Sequence, residues 1–449
     1  MVMPVFGNTF LMNRHAIAGG GDAHESYRAW YNLVLSEAPL QLACLPVIHC
    51  PANFYTHDFD MHGTGSDGFG GRGAYFVDIV GTTFLGTNRH NFEWRGIPCQ
   101  NHNFSSNVSL ESTSDALNFK TSNTQVSGSI EYITITDTPY QFEHANPTAR
   151  LGVGDFDNDG ADDLFLATGA AWYYAPAGAR EWRFLSAKTD TIDQLLLGDF
   201  DGDGRTDVVA IHDRQFVISW GGISEWEVLN ADPTGGRILL LPDAVSAMAI
   251  GDFDGDRRAD IFYADGITWW VSYGGYGPFV PTANSSFQVK DLRFGDFDGD
   301  GATDVFGVVS NGQFNTWSYS KSATGSWADG YLRPALADTV DGLVVADFNG
   351  DGFADVAMNC DGPACWRISY GGFQDWTYLS EQNSGLLGPQ FVAVGHFLGH
   401  AAADVLTWNL YFSSTNSAIC NPNAGRNTYF CISQAAIYPG VVYSTQDMR

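Results

Sequence analysis

The chain has 449 residues, with 51 acidic against 22 basic side chains, a formal charge of −29, 14% aromatic residues and 51 glycines. That acidity argues against nucleic acid or an anionic membrane as a partner, and no apolar run in the sequence is long enough to span a bilayer. The length leaves room for a large core and a further domain, and the aromatic, glycine-rich composition suits an all-β chain with many tight turns.

The opening residues, MVMPVFGNTFLMNRH, carry no basic lead, long apolar core or small-residue cleavage site, so they do not read as a secretory leader. Residues 1–145 show few periodic runs and are expected to form an irregular, β-rich accessory domain. The pattern predicts a helix over 25–35, strands over 74–80 and 129–136, and a linker over 139–147. Seven of the eleven histidines fall within the first 102 positions. Within 49–73, His57, Asp58, Asp60, His62 and Asp67 lie close together. Imidazole and carboxylate at such spacing suit a zinc or hydrolase site. The stretch lacks HExxH, however, and the simpler reading is a polar loop. TGSDG around Ser66 has Thr64 where a GxSxG nucleophile elbow needs glycine. Asn103, Asn107 and Asn284 each open an N-x-S/T triplet. Among seven cysteines, Cys44 and Cys50, Cys360 and Cys365, and Cys420 and Cys431 are close enough to pair, with Cys99 left over. This points to an oxidising compartment, the alternative being buried free thiols in a reducing one.

From residue 155 the chain becomes repetitive. DFDNDGADD begins at Asp155, DFDGDGRTD at Asp199, DFDGDRRAD at Asp252, DFDGDGATD at Asp296 and DFNGDGFAD at Asp347; a sixth copy, HFLGHAAAD, begins at His396. Carboxylates at positions 1, 3, 5 and 9 around a turn glycine follow the logic of an EF-hand calcium loop, in which hard oxygens converge on one hard ion. The flanks are not EF-hand flanks. Short alternating apolar runs such as LLLG before the loop and DVVAIH after it read as strands. DFDMHG from Asp58 also reads as a decayed copy of the same phrase.

After each loop comes an aromatic-led strand, a glycine-rich turn and a second aromatic: WYYAPAG then Trp182, FVISWGG then Trp226, WVSYGG then Phe279, WSYSKSATGSW ending at Trp327, and WRISYGG then Trp376. The unit is therefore strand, Asp loop, strand, strand, turn, strand. Four strands recurring every 40 to 50 or so residues are the mark of a propeller blade. Six units are legible, and the tail at 441–446 is read as pairing with 126–142 to make a composite seventh.

These phrases resemble the FG-GAP or VCBS-type repeat of integrin-like propellers, and the Trp and Gly-Gly additions are most similar to fungal and bacterial propeller lectins. The resemblance covers 146–449. It implies a six- or seven-bladed all-β propeller holding about five Ca²⁺ ions. In the first loop the ligands would be Asp155, Asp157, Asp159, Asp163 and the carbonyl of Ala161. In the second they would be Asp199, Asp201, Asp203, Asp207 and the Arg205 carbonyl. Asp252, Asp254, Asp256, Asp260 and the Arg258 carbonyl would serve the third. The fourth would use Asp296, Asp298, Asp300, Asp304 and the Ala302 carbonyl; the fifth, Asp347, Asn349, Asp351, Asp355 and the Phe353 carbonyl. Arg257 replaces the turn glycine of the third loop, which weakens it, and the sixth keeps only Asp404, so no ion is expected there. The Asp loops are read as structural, because carboxylates committed to an ion cannot exchange protons.

In the resembling lectins, sugars bind between blades. Aromatics that follow the turn (Trp182, Trp226, Trp327, Trp376) are the better candidates for stacking on a pyranose, and Trp172, Trp270, Trp317 and Trp366 read as inter-blade core. The Gly-Gly turns would let backbone groups reach sugar hydroxyls. The expected protein is a calcium-stabilised, multivalent, extracellular lectin rather than an enzyme, with glycans as partners. Two alternatives remain: a secreted hydrolase whose catalytic region is the His-rich N-terminus, and an integrin-like adhesion or toxin component that binds protein.

Overall fold

A computed structural model describes residues 2–11, 16–19, 26–36, 57–62, 64, 75–84, 90–96, 102–109, 117–119, 133–135, 151–178, 182–230, 242–310, 312, 315–325, 327, 333–334, 336–359, 366–378, 392–399, 401–407 and 442–444. Two all-β arrangements follow one another along the chain.

The first is a three-sided parallel β-helix. Its rungs are β1 (Val2–Phe6), β2 (Thr9–Leu11) and β3 (Ile17–Gly19); β4 (Ser26–Trp30), β5 (Leu33–Ser36) and β6 (His57–Met61); β7 (Val77–Val80), β8 (Thr83–Phe84) and β9 (His90–Trp94); β10 (His102–Ser105), β11 (Val108–Ser109) and β12 (Leu117–Phe119); and β13 (Ile133–Ile135). Equivalent strands pair in parallel into sheets β1-β4-β7-β10-β13, β2-β5-β8-β11 and β3-β6-β9-β12. A chain phrase at one corner sets the coil. Gly7, Tyr31, Gly81 and Ser106 all have φ between 53° and 63°. Each is followed by a polar residue: Asn8, Asn32, Thr82 and Asn107. Those four form a ladder. The Asn8 N–H donates to Asn32 Oδ1 (3.0 Å), and the Thr82 N–H donates to Asn107 Oδ1 (2.8 Å). Asn32 and Asn107 amides donate to the Val5 and Ile79 carbonyls. Buried corner backbone is thus satisfied by side chains of the next rung. Tyr27, Phe59, Phe84, Phe92 and Phe104 fill the interior.

This corrects two expectations. The helix expected over 25–35 does not form over the described residues 26–35, because the chain turns through the left-handed region at Tyr31 and continues as two strands on different sides of the coil. The region is β-rich but regular, its parallel pairing hidden by rungs of unequal length. Asn107 is buried and its amide is committed to the ladder, which excludes it as a glycosylation acceptor.

The second arrangement is a propeller. Blade 1 comprises β14 (Leu151–Gly154), β15 (Asp163–Ala167), β16 (Trp172–Ala175) and β17 (Arg183–Ser186), paired antiparallel in sequence order. The same four-stranded meander recurs in four further blades over 195–230, 248–284, 292–334 and 343–378. A sixth sheet joins Val392–Gly395, Asp404–Thr407 and Val442–Ser444. The unit read from the sequence is the unit observed. Among the described residues the tail does not pair with 126–142, however: Val442–Ser444 adds to this sixth sheet, while β13 belongs to the β-helix. Expectations at the cysteines and at the 139–147 linker fall outside the described residues.

Adjacent loops are tied by one repeated bond. The amide at loop position 8 donates to the carbonyl at position 1 of the preceding loop: Thr206 to Asp155 (2.6 Å), Ala259 to Asp199 (2.7 Å), Thr303 to Asp252 (2.5 Å), Ala354 to Asp296 (2.6 Å) and Ala403 to Asp347 (2.7 Å). The Asp162 N–H donates to the His396 carbonyl (3.1 Å), linking the first loop to the sixth. The β-helix seats against blade 1. Leu33 and Val108 join Ala170, Ala171, Tyr173, Trp182 and Phe397 in one cluster. Thr83 Oγ1 donates to Thr168 Oγ1 (2.9 Å), and the Tyr173 hydroxyl donates to the Tyr31 carbonyl (3.0 Å).

Candidate functional site

Each Asp loop lies between the first two strands of its blade and wraps around its first carboxylate. Asp199 Oδ1 accepts the Gly202 and Asp203 N–H groups (2.7 and 3.2 Å), and Oδ2 accepts the Gly204 N–H (2.9 Å). Position 5 accepts the N–H of position 7, as with Asp203 and Arg205 (2.8 Å). Position 9 is buried at the head of the second strand. Asp207 Oδ2 accepts the Phe200 N–H (3.0 Å), and Oδ1 accepts the Gly221 N–H (2.7 Å) from the turn after the third strand. Asp163, Asp260, Asp304 and Asp355 repeat this, taking turn amides from Ala177, Gly274, Ser322 and Gly371.

The Gly-Gly turn therefore supports the loop. Its first residue presents an N–H to the position-9 aspartate. Its second packs on the preceding blade, where a Cβ at Gly222 would approach Leu185 to 2.8 Å and Phe156 to 3.4 Å. Both residues have positive φ, so glycine is favoured; blade 4 uses Ser322 and Ala323 at 47° and 58°.

The electrostatics call for a cation. Burial raises Asp163, Asp207, Asp260 and Asp304 to about 6 and Asp355 to about 7, despite two backbone hydrogen bonds to each; neighbouring loop carboxylates add to the shift. At position 3, Asp157 and Asp254 are also raised, by burial first and then by adjacent aspartates. Asp157 Oδ1 and Asp298 Oδ1 are buried without a hydrogen-bond partner. Carboxylate oxygens lie within 4.8 Å of one another in Asp155–Asp157–Asp163, Asp199–Asp201–Asp203, Asp252–Asp254–Asp260 and Asp296–Asp298–Asp300. Hard oxygen donors converging this closely, with orphaned atoms among them, fit a divalent ion. In the fifth loop, Asn349 Nδ2 donates to Asp351 Oδ2 (2.9 Å). In the fourth, the Lys321 ammonium lies 2.7 Å from both Asp298 and Asp300.

The aromatics meet at blade boundaries. Trp226 sets its ring edge-to-face with Trp172 (5.6 Å), Trp327 with Trp269 (5.7 Å) and Trp376 with Trp317 (5.5 Å). Trp172, Trp269 and Trp317 are fully buried. In blade 3 the core ring is Trp269, not the expected Trp270, whose indole N–H reaches Asp265 instead. A bulge in the pairing with the fourth strand falls between the two. The side chain of Trp366 lies outside the described residues. Trp226, Trp327 and Trp376 are half-buried, whereas Trp182 is only 3% exposed beneath Leu33 and Phe397.

Between blades 1 and 2 opens a cleft of about 670 Å³, lined in part by Lys188, Asp190, His212, Asp213, Glu225 and Trp226. Lys188 Nζ donates to Ser186 Oγ (3.0 Å) and the Ser224 carbonyl (2.6 Å), and lies 5.4 Å from the ring centres of both Trp172 and Trp226. His212 Nε2 and Asp190 Oδ1 are 2.8 Å apart. Apart from Trp226, none of these residues was singled out from sequence. Lys188 and Asp190 lie between blades, His212 and Asp213 at a hairpin of blade 2 and Glu225 just before Trp226; all fall outside the repeated Asp, Trp and Gly phrases, so periodicity gives no signal for them.

The His- and Asp-rich stretch at 57–62 is strand β6, not a loop between antiparallel strands, so DFDMHG is no copy of the Asp phrase. Asp60 pairs in register with Glu93 on the next rung. Arg95 bridges them, at 3.1 Å from Asp60 Oδ2 and 2.8 Å from Glu93 Oε1, and His62 Nε2 lies 2.6 Å from Asp60 Oδ2. Asp60 and Glu93 are fully buried. The side chains of His57 and Asp58, and all of Asp67, lie outside the described residues.

A model of the FG-GAP-like repeat matches residues 155–210, 199–263 and 296–358. The chain carries FG-GAP-like repeats. No curated protein matches the chain. Among solved structures, an Agrocybe aegerita lectin, described as recognising non-reducing terminal N-acetylglucosamine, is 15% identical with a TM-score of 0.40; the match covers 57% of this chain and 74% of that one. The Photorhabdus luminescens Tc holotoxin pore is 16% identical at 0.40, over 58% of this chain and 13% of that one. Bacillus licheniformis rhamnogalacturonan lyase PL11 is 14% identical at 0.29, over 58% and 69%. Similarities this weak carry no argument about what these FG-GAP-like repeats bind. No helix among the described residues is long and apolar enough to cross a membrane.

Proposed function

We propose that this protein is a calcium-stabilised, multivalent carbohydrate-binding propeller over 146–449, with 1–145 as an accessory domain. The observation that carries the sugar reading is the cleft between blades 1 and 2. It joins a half-buried Trp226 to a ring of polar and charged groups. A pyranose needs that combination, since it offers a CH face to an aromatic and hydroxyls to polar edges. Trp327 and Trp376 occupy matching boundaries, so several weak sites would combine into avidity. Trp182, covered by the β-helix, contributes least.

Calcium is the ion that suits all-oxygen loops of this form, with the five sets running from Asp155 to Asp355 as ligands and position-7 carbonyls completing them. The bond from Asp162 to His396 favours closure after six blades, which removes exposed sheet edges. An extracellular setting, where calcium is abundant, fits this use. The test is a glycan array probed with the intact chain in millimolar Ca²⁺, alongside its Trp226→Ala variant. Selective binding that weakens in the variant supports the reading. An array silent for the intact, calcium-loaded chain rejects it.

A further inference from the structure

The cleft between blades 1 and 2 carries an uneven set of charges, and they bear on which sugar it would take. Three carboxylates line it: Asp190, Asp213 and Glu225. The one ammonium in its wall, Lys188, is only 9% exposed. Its donors point to Ser186 Oγ and the Ser224 carbonyl, and two indole faces flank it. It braces the blade boundary, and its charge is felt by Glu225 and Asp190, so one ammonium stands against three carboxylates. Asp190 is held against His212. Asp213 and Glu225 remain at the rim. Both are exposed, and among the described residues neither carboxylate has a hydrogen bond or ion pair. Asp213 sits at the tip of the hairpin joining Asp207–His212 to Gln215–Ser219, with φ of 49°, and lines the cleft while remaining exposed. Arg214, its partner in that turn, is not among the lining residues.

We infer that this cleft selects a cationic amino sugar, a hexosamine whose 2-amino group is free, with the ammonium between Asp213 and Glu225 and the sugar ring on Trp226. The inference rests on the carbohydrate reading and narrows it. A carboxylated sugar would meet three like charges against one buried ammonium here. An N-acetylated one would lose the positive charge that the rim attracts while leaving two carboxylates to be desolvated.

The test is calorimetric titration of the intact, calcium-loaded chain with a β-1,4-linked glucosamine tetramer, its N-acetylated counterpart and tetralysine. The free-amine sugar is expected to bind about tenfold more tightly than the acetylated one, the scale of one charge beside a pair of partly exposed carboxylates. The Asp213→Asn, Glu225→Gln double variant, altered only at exposed positions, should bring the two sugars within about twofold of each other. Equal or tighter binding of the acetylated tetramer overturns the inference and leaves the carbohydrate reading standing. Tetralysine binding as well as the glucosamine tetramer also overturns it, because charge alone would then suffice. If neither sugar binds, the carbohydrate reading of this cleft falls as well.

Discussion

At the sixth position of the third Asp loop, Arg257 stands where the other four intact loops have glycine, and its φ is 69°. The Arg257 N–H still donates to Asp252 Oδ2 (2.7 Å), so the turn forms against a side chain's steric preference. Arg257→Gly is therefore expected to stabilise the calcium-loaded protein by about 0.5–1 kcal/mol in denaturant unfolding; a fall in stability would contradict it. That substitution was legible in the sequence. Lys321 was not. It follows a strand of blade 4 by an offset shared with Trp220, Tyr273 and Tyr370, and only the fold brings its ammonium onto Asp298 and Asp300. A bound ion must displace it or share those oxygens. Lys321→Ala is expected to tighten one calcium site by about threefold to tenfold, read by competition with a chromogenic chelator. Unchanged affinity at every site would show that the lysine yields without cost.

At the scale of elements, loop and turn act together, because the turn amide completes the shell of the position-9 aspartate. The sequence showed both phrases but not that they touch, since 14 residues separate Asp207 from Gly221. Asp163, Asp207, Asp260 and Asp304 titrate near 6 and Asp355 near 7, against an ordinary 3.8. In chelator the folded state thus binds more protons than the unfolded state from about pH 4 to 7. These groups favour folding at the acid end of that window, and their contribution is lost as pH rises through it. The urea midpoint in EDTA should be higher at pH 5.5 than at pH 7.5, and the order should reverse in calcium, where protons compete with the ion. A midpoint in EDTA that rises with pH would contradict this. The β-helix corner had a signal too, a small or left-handed residue followed by Asn or Thr at 7–8, 31–32, 81–82 and 106–107. The wide gap between the second and third copies hides its period. Asn32→Ala strands the Asn8 N–H and the Val5 carbonyl, at a cost of about 2–3 kcal/mol; chemical denaturation measures it, and a loss below about 0.5 kcal/mol would show that the ladder is dispensable.

For the whole molecule, the propeller was readable because its units repeat through charge, glycine and tryptophan at near-constant spacing. The β-helix was not, because parallel rungs pair strands whose sequences need not resemble each other, and their stabilisation comes from a shared interior of Phe59, Phe84, Phe92 and Phe104. How the two parts join was beyond reach from sequence, since Leu33, Val108 and Trp182 meet only in three dimensions. What organises the propeller is a succession of acidic loops, each bonded through its backbone to the one before, whose mutual repulsion a divalent ion would relieve. Differential scanning calorimetry of the intact chain in millimolar Ca²⁺ and in excess EDTA tests that most directly. Several ions that bind only the native state should place the two transitions more than about 10 °C apart. Coincident transitions would contradict the account.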